Sequence, residues 1–266
     1  MIDNTKNIEE SILKFNSPKT FYIVEALCRP KKDGASTLCG TTNNHTRMVR
    51  LWTFASLEEF RRHRDEIINI CEANNARGYI LPQRRSVYLV MKQLMRSALD
   101  NLEKDDINFN RFITSALCGC HDVADKSHKR WVIDIDADEE DTLEVLKAQW
   151  RFSNPDSPTA PVMFDMKPLA EYLASKIRRA LVLNYGNRAT DVREFMPNTN
   201  AAYRDSDICV LETPHGYHIV TPPFNREPKA LAKYLGGDFL KQDWIKPDAM
   251  ALLYAPDSIA KSNPLD

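Results

Sequence analysis

Two aspartates, Asp134 and Asp136, end the otherwise apolar run Trp131-Val132-Ile133-Asp134-Ile135-Asp136. Residues i and i+2 of a strand share a face, so both carboxylates point one way while Ile133 and Ile135 point the other way, into a core. Adjacent like charges repel, and such a pair is costly to bury unless a cation lies between them. Hard divalent ions take one or two carboxylates together with phosphate oxygens, so this pattern points to phosphoryl or nucleotidyl transfer. Asp138, Glu139, Glu140 and Asp141 follow at once and are read as acids that complement the positive end of the next helix. Further on, Glu212-Thr213-Pro214-His215-Gly216-Tyr217-His218-Ile219-Val220 reads as strand, tight turn, strand. Gly216 permits the turn backbone, and His218 starts the second strand, where an imidazole can donate to a phosphate oxygen. Asp243 and Asp248 both precede the last apolar strand, and either could bring a third carboxylate to a metal.

The elements that must position these residues are legible from pattern. Residues 20–27 and 47–54 read as strands rich in β-branched and aromatic side chains. Ser56-Leu57-Glu58-Glu59 is a capping box, opening a helix with apolar residues at 57, 60, 67, 68 and 71. A short strand near 78–81 is followed by a helix starting at Ser86, with an apolar stripe at 87, 90, 91, 94, 95, 98 and 102. Residues 131–136 form the clearest strand. Helices are expected at about 139–150, 168–183 and 227–235, with strands at 207–212, 217–221 and 250–255. The hairpin at 207–221 requires partly antiparallel sheet. The class is therefore α/β or α+β.

Several basic or thiol-bearing segments add candidates. Arg84-Arg85-Ser86 at a helix start could take phosphate through the helix N-terminus and two guanidinium groups. Arg61-Arg62-His63-Arg64 reads as the solvated face of an amphipathic helix. Cys118-Gly119-Cys120-His121, with His128, is spaced poorly for zinc. The six cysteines lack the density of a disulfide framework. There is no secretion signal and no apolar run near the ~20 residues of a membrane helix, which predicts a cytoplasmic protein. Residues 1–130 carry 21 Lys and Arg against 16 Asp and Glu, whereas 131–266 carry 15 against 21. A basic half suits a phosphate backbone, and clustered acids suit divalent metal.

Taken in order, Asp134-Ile135-Asp136, then Thr213-Pro214-His215-Gly216-Tyr217-His218, then an acid before a final strand resemble the three motifs of archaeo-eukaryotic primases and primase-polymerases. The resemblance covers about residues 130–256, and points to the small, stand-alone, phage-type members. It implies an α+β fold in which an N-terminal α/β unit (1–125) and an RRM-like sheet module (126–266) flank a cleft. It implies metal-dependent nucleotide joining on a template, with Asp134, Asp136 and Asp243 (or Asp248) holding Mg²⁺ or Mn²⁺. His218, with Lys246, would bind the nucleoside triphosphate, and Arg84 and Arg85 the single-stranded or primed DNA. A separate replicative helicase would be a partner. Two alternatives remain open: a nucleic-acid-binding protein that keeps the fold without catalysis, and a phosphatase with an aspartate nucleophile. The latter is an alternative because haloacid-dehalogenase-type phosphatases also end a strand with Asp-x-Asp.

Overall fold

The structure, a computed structural model, describes residues 1–15, 17–28, 46–101, 116–117, 129–136, 167–186, 207–231, 233, 235, 240 and 242–260. It is mixed α and β, built on two antiparallel sheets. Among the described residues no helix is long and apolar enough to cross a membrane.

The first sheet uses β1 (Ile2–Asp3), β2 (Thr20–Cys28), β3 (Arg47–Phe54), β4 (Arg77–Ser86) and β9 (Ala251–Ala255), in the order β1-β9-β4-β2-β3. β2 and β4 are central and almost wholly buried, as near-continuous apolar runs require. Helix α1 (Thr5–Ser11) follows β1, and α2 (Leu57–Asn74) follows β3. The Ser56 hydroxyl accepts the Glu59 N–H at 3.1 Å, and the Glu59 carboxylate accepts the Ala55 N–H at 2.8 Å, so the capping box forms with its return bond one residue upstream. Asn75, at φ 47°, ends α2 in the left-handed conformation that Asn tolerates. Phe60, Ile67 and Cys71 of α2 are buried in the core formed with Val24, Ile80 and Leu253. The charged run on the other face of α2 forms surface ion pairs, Arg61 with Glu9 and Arg64 with Asp3, as a solvated helix face should.

The second sheet contains β5 (Trp131–Asp136), β6 (Cys209–Thr213), β7 (Gly216–Thr221) and β8 (Ile245–Lys246), in the order β6-β7-β5-β8. Helix α4 (Lys167–Gly186) closes one face. Its Ala170, Leu173, Ala174, Ile177 and Leu181 pack with Ile133, Ile135 and Ile219. Fully burying such a side chain contributes about 1.5–3 kcal/mol. The other face packs on the first sheet: Val132, Cys209, Leu211 and Val220 share one core with Val24, Ile80 and Leu253. Two short helices, α5 (Pro228–Leu231) and α6 (Asp257–Ala260), complete the described set together with α3 (Val87–Asn101).

Three outcomes differ from the pattern reading. β4 runs ten residues to Ser86 rather than stopping near 81, so that it leads directly into α3 at Val87. The C-terminal strand β9 does not extend the second sheet: it inserts between β1 and β4 of the first, so the sheet of the N-terminal half is completed from beyond residue 250. The α3 stripe expected at a core is exposed at Val87, Met91 and Met95, with Val90 its one buried member among the described side chains. The helix expected at 139–150 and the residues of the zinc reading (Cys118, Cys120, His121, His128) lie outside the described residues.

Candidate functional site

The antiparallel register of the second sheet sets its polar rows. Asp134 lies opposite His218, which lies opposite Leu211; Asp136 lies opposite Gly216; Val132 lies opposite Val220 on one side and Lys246 on the other. Directly opposed residues share a face. The side that begins as apolar packing at Val132 and Val220 therefore turns polar one row later, where Asp134, Asp136 and His218 stand.

Asp134 is the centre of this cluster. Its Oδ1 accepts from His218 Nε2 at 3.1 Å, and its Oδ2 accepts from Lys246 Nζ at 2.8 Å. Burial alone would raise its pKa, but the His218 contact, and then the Lys246 contact, outweigh burial and hold the carboxyl well below the usual carboxylate range. His218 is fixed at both ring nitrogens, because the Leu252 N–H donates to Nδ1 at 3.1 Å. That bond leaves Nε2 as the ring nitrogen that donates to Asp134, and the Lys246 ammonium adds a formal positive charge beside the carboxylate. The cation expected between the two aspartates is thus supplied, for Asp134, by the chain itself. Lys246 is about half exposed, whereas the His218 side chain is 12% exposed.

Gly216 contributes through space rather than backbone freedom. A Cβ there would stand 1.9 Å from the Ile135 carbonyl oxygen, so only glycine lets the hairpin lie this close against the end of β5.

The other candidates fall elsewhere. Asp243 is exposed on a 3-10 turn, Gln242–Trp244, and lines an open pocket of about 560 Å³ with Arg226, Gln242 and Ile245. Asp248 accepts from Gln83 Nε2 at 3.1 Å. Among the described residues no three His, Cys, Asp or Glu side chains gather as a metal-holding group, so neither acid is brought to Asp134 and Asp136 as a third ligand. Arg84 and Arg85 are strand residues of β4, 2% and 1% exposed, rather than a basic turn at a helix start. Arg84 donates to the Lys14 carbonyl at 2.7 Å. This corrects their placement: phosphate in solvent does not reach guanidinium groups sealed in a central strand.

Pattern reading missed two residues. The Asn4 side-chain amide donates to the Glu212 carbonyl at 2.8 Å and the Leu252 carbonyl at 3.1 Å, and its oxygen accepts the Glu212 N–H at 3.3 Å. Leu252 thus gives its N–H to His218 and its carbonyl to Asn4, and the two bonds tie β9 to the hairpin. Gln83 donates to the Arg130 carbonyl at 2.9 Å as well as to Asp248, joining β4 to the entry of β5. No local pattern marks either residue, since the Asn4 partners lie more than 200 residues away. Compared with known proteins, the chain matches no family model, no curated protein and no solved structure.

Proposed function

We propose that the chain is a metal-dependent nucleotidyltransferase of the primase-polymerase type, acting on nucleoside triphosphates and a DNA template. The observation that supports it is the row Asp134–His218 with Lys246 and Asp136, carried by three adjacent strands on one sheet face. Two acids and two side chains that would donate to phosphate, from three separate segments of the sequence, share that face. The donor set fits Mg²⁺ or Mn²⁺ in the form that uses one or two carboxylates plus substrate phosphates: Asp134 and Asp136 would hold the ion, and Asp134 already holds a cation, the Lys246 ammonium. When bound, such an ion neutralises phosphate charge and activates an attacking hydroxyl. Lys246 offers a half-exposed ammonium to a triphosphate. His218, anchored by Leu252, presents its Nε2–H from a fixed position and would donate it to a phosphate oxygen. An RRM-like assignment for the second sheet belongs to this same proposal.

The neutralisation of Asp134 favours a second reading, a non-catalytic nucleic-acid-binding protein, because no third acid joins the pair among the described residues. The phosphatase reading is weaker, since both oxygens of its nucleophile would already be engaged by His218 and Lys246. One experiment separates them: incorporation of labelled nucleotides on a primed and an unprimed template with Mn²⁺, using the parent, Asp134→Asn and Asp136→Asn. Incorporation by the parent alone is expected. A parent that incorporates nothing, yet binds single-stranded DNA as both variants do, selects the binding protein. Phosphate release from small esters with a phosphorylated Asp134 selects the phosphatase.

A further inference from the structure

Helix α3 carries a continuous apolar row on its solvent side. Tyr88, Met91, Met95 and Leu99 recur at the three- and four-residue spacing of one helical face, and they are 69%, 48%, 62% and 67% exposed. Val87 adds to the same side at 43%. Single exposed apolar residues are ordinary, but a contiguous row marks an interaction surface. Tyr, Met and Arg are the residue types enriched at protein interfaces. Methionine in particular adapts its shape to a partner.

Charge narrows the occupant. From Ala73 to Leu99 the sequence contains no Asp or Glu. On α3 the only charges before Asp100 are Lys92 and Arg96, both exposed. With Tyr88 they form a row at four-residue spacing beside the Met91–Met95–Leu99 row. The face is therefore apolar along its length, with two cations, Lys92 and Arg96, on the row beside it and one acid, Asp100, where that row ends. A second copy docked through the same face would bring two cations but one acid, Asp100, to each edge, so a partner with acidic flanks complements Lys92 and Arg96 more fully than self-pairing does. A polyanion is held by an array of cations, and here five large apolar side chains are accompanied by two.

We infer that α3 is a docking surface for an amphipathic helix of another protein, one with an apolar stripe and acidic flanks. The stripe would lie along Tyr88, Met91, Met95 and Leu99, in the helix-on-helix mode read from anchors at i, i+3, i+7 and i+11. Glutamates or aspartates at its edge would meet Lys92 and Arg96, which steer the encounter and fix its register. This inference does not depend on the chemistry at Asp134.

The test uses the full chain and two synthetic helical peptides with identical leucine stripes, one flanked by glutamate and one by lysine, followed by fluorescence anisotropy. The glutamate peptide binds, and the lysine peptide binds about tenfold more weakly or not at all. Met95→Asp and, as a milder variant, Met95→Ser weaken the glutamate peptide by about tenfold or more, the scale of a central anchor. Lys92→Glu with Arg96→Glu reverses the preference between the peptides. Circular dichroism shows all variants folded, because the altered side chains are exposed. Equal binding of both peptides, or of neither, overturns the inference. So does sedimentation showing self-association that Met95→Asp abolishes, which assigns the face to a second copy. Binding of a single-stranded oligonucleotide or of anionic lipid vesicles that is lost in Lys92→Glu/Arg96→Glu, without peptide binding, overturns it as well.

Discussion

The two faces of the four-stranded sheet are made from alternate residues of the same strands. On the α4 side, Ile133, Ile135 and Ile219 meet Leu173, Ile177 and Leu181 in one apolar cluster. On the other side, Val132 and Val220 begin an equally apolar contact with the first sheet, but Lys246 flanks that row and Asp134 with His218 stand in the next. The closed face has one task, to exclude water. The open face holds a charged carboxylate, and both oxygens of Asp134 are answered by side chains carried on neighbouring strands. Apolar packing and the polar cluster are thus separated by the two-residue period of one strand, and substitutions on the two faces should fail in different ways.

The largest effect is expected on the closed face. Ile133→Ala removes a fully buried side chain and should cost about 2–5 kcal/mol, read as a lower urea midpoint with an unchanged slope. Under the proposed function, nucleotide affinity of the remaining folded protein should be that of the parent. A cost below about 1 kcal/mol would mean that α4 does not seal this layer. The next effect belongs to the hairpin that joins the faces. Gly216→Ala must push the turn away from the Ile135 carbonyl, at a cost of about 1–3 kcal/mol; a thermal midpoint equal to the parent's would show that the close approach is not required.

On the open face, Asp134 contributes through charge. Its folded pKa is depressed below the ordinary 3.8, so its contribution to stability is fully present above that value and is lost as pH falls through the depressed range. Asp134→Asn should therefore lower stability at pH 7 by about 1–2 kcal/mol, discounted because Lys246 is half exposed, and should flatten the acid limb of the stability profile. The loss of the His218 and Lys246 contacts is expected to outweigh any relief of repulsion from Asp136. An unchanged acid limb, measured by denaturation from pH 7 to pH 2, would remove Asp134 from the linkage. The smallest effect is Lys246→Met, within about 1 kcal/mol of the parent because exposed pairs contribute little. Its interest lies in binding: under the proposed function, metal-free protein should take up Mn²⁺ more tightly once the competing ammonium is gone, while nucleotide affinity falls. Calorimetry showing neither change would make Lys246 a surface residue only.

Much of this contrast was legible before any coordinates. The alternation in residues 131–136 correctly divided Ile133 and Ile135 from Asp134 and Asp136, because a strand's side-chain period is a property of its backbone. The Ser56 cap, strands β2 and β3, the hairpin and α4 were legible for the same reason, since each rests on interactions within a few residues. The Arg84–Arg85 pair shows where local reading stops. Two arginines beside a serine look like a solvated helix start, yet β4 continues through them, because pairing with β2 carries Phe21 opposite Arg85 and Thr20 opposite Ser86. Likewise the α3 stripe has the periodicity of α4, and periodicity names an apolar face without saying what covers it.

The sequence by itself determined which side chains share a face, where the main helices and strands of the described residues start to form, and that an acidic strand and a histidine hairpin exist. The tertiary structure alone decided that His218 meets Asp134 with Lys246 as its counter-charge, that Leu252 and Asn4 lock the hairpin to β9, and that Asp243 and Asp248 go elsewhere. The physical reason is range. Backbone geometry and side-chain periodicity act over a few residues, whereas the register between strands, the choice of neighbour for β9 and the pairing of buried polar atoms come from packing segments distant in the chain, where each donor must find its acceptor before water is excluded.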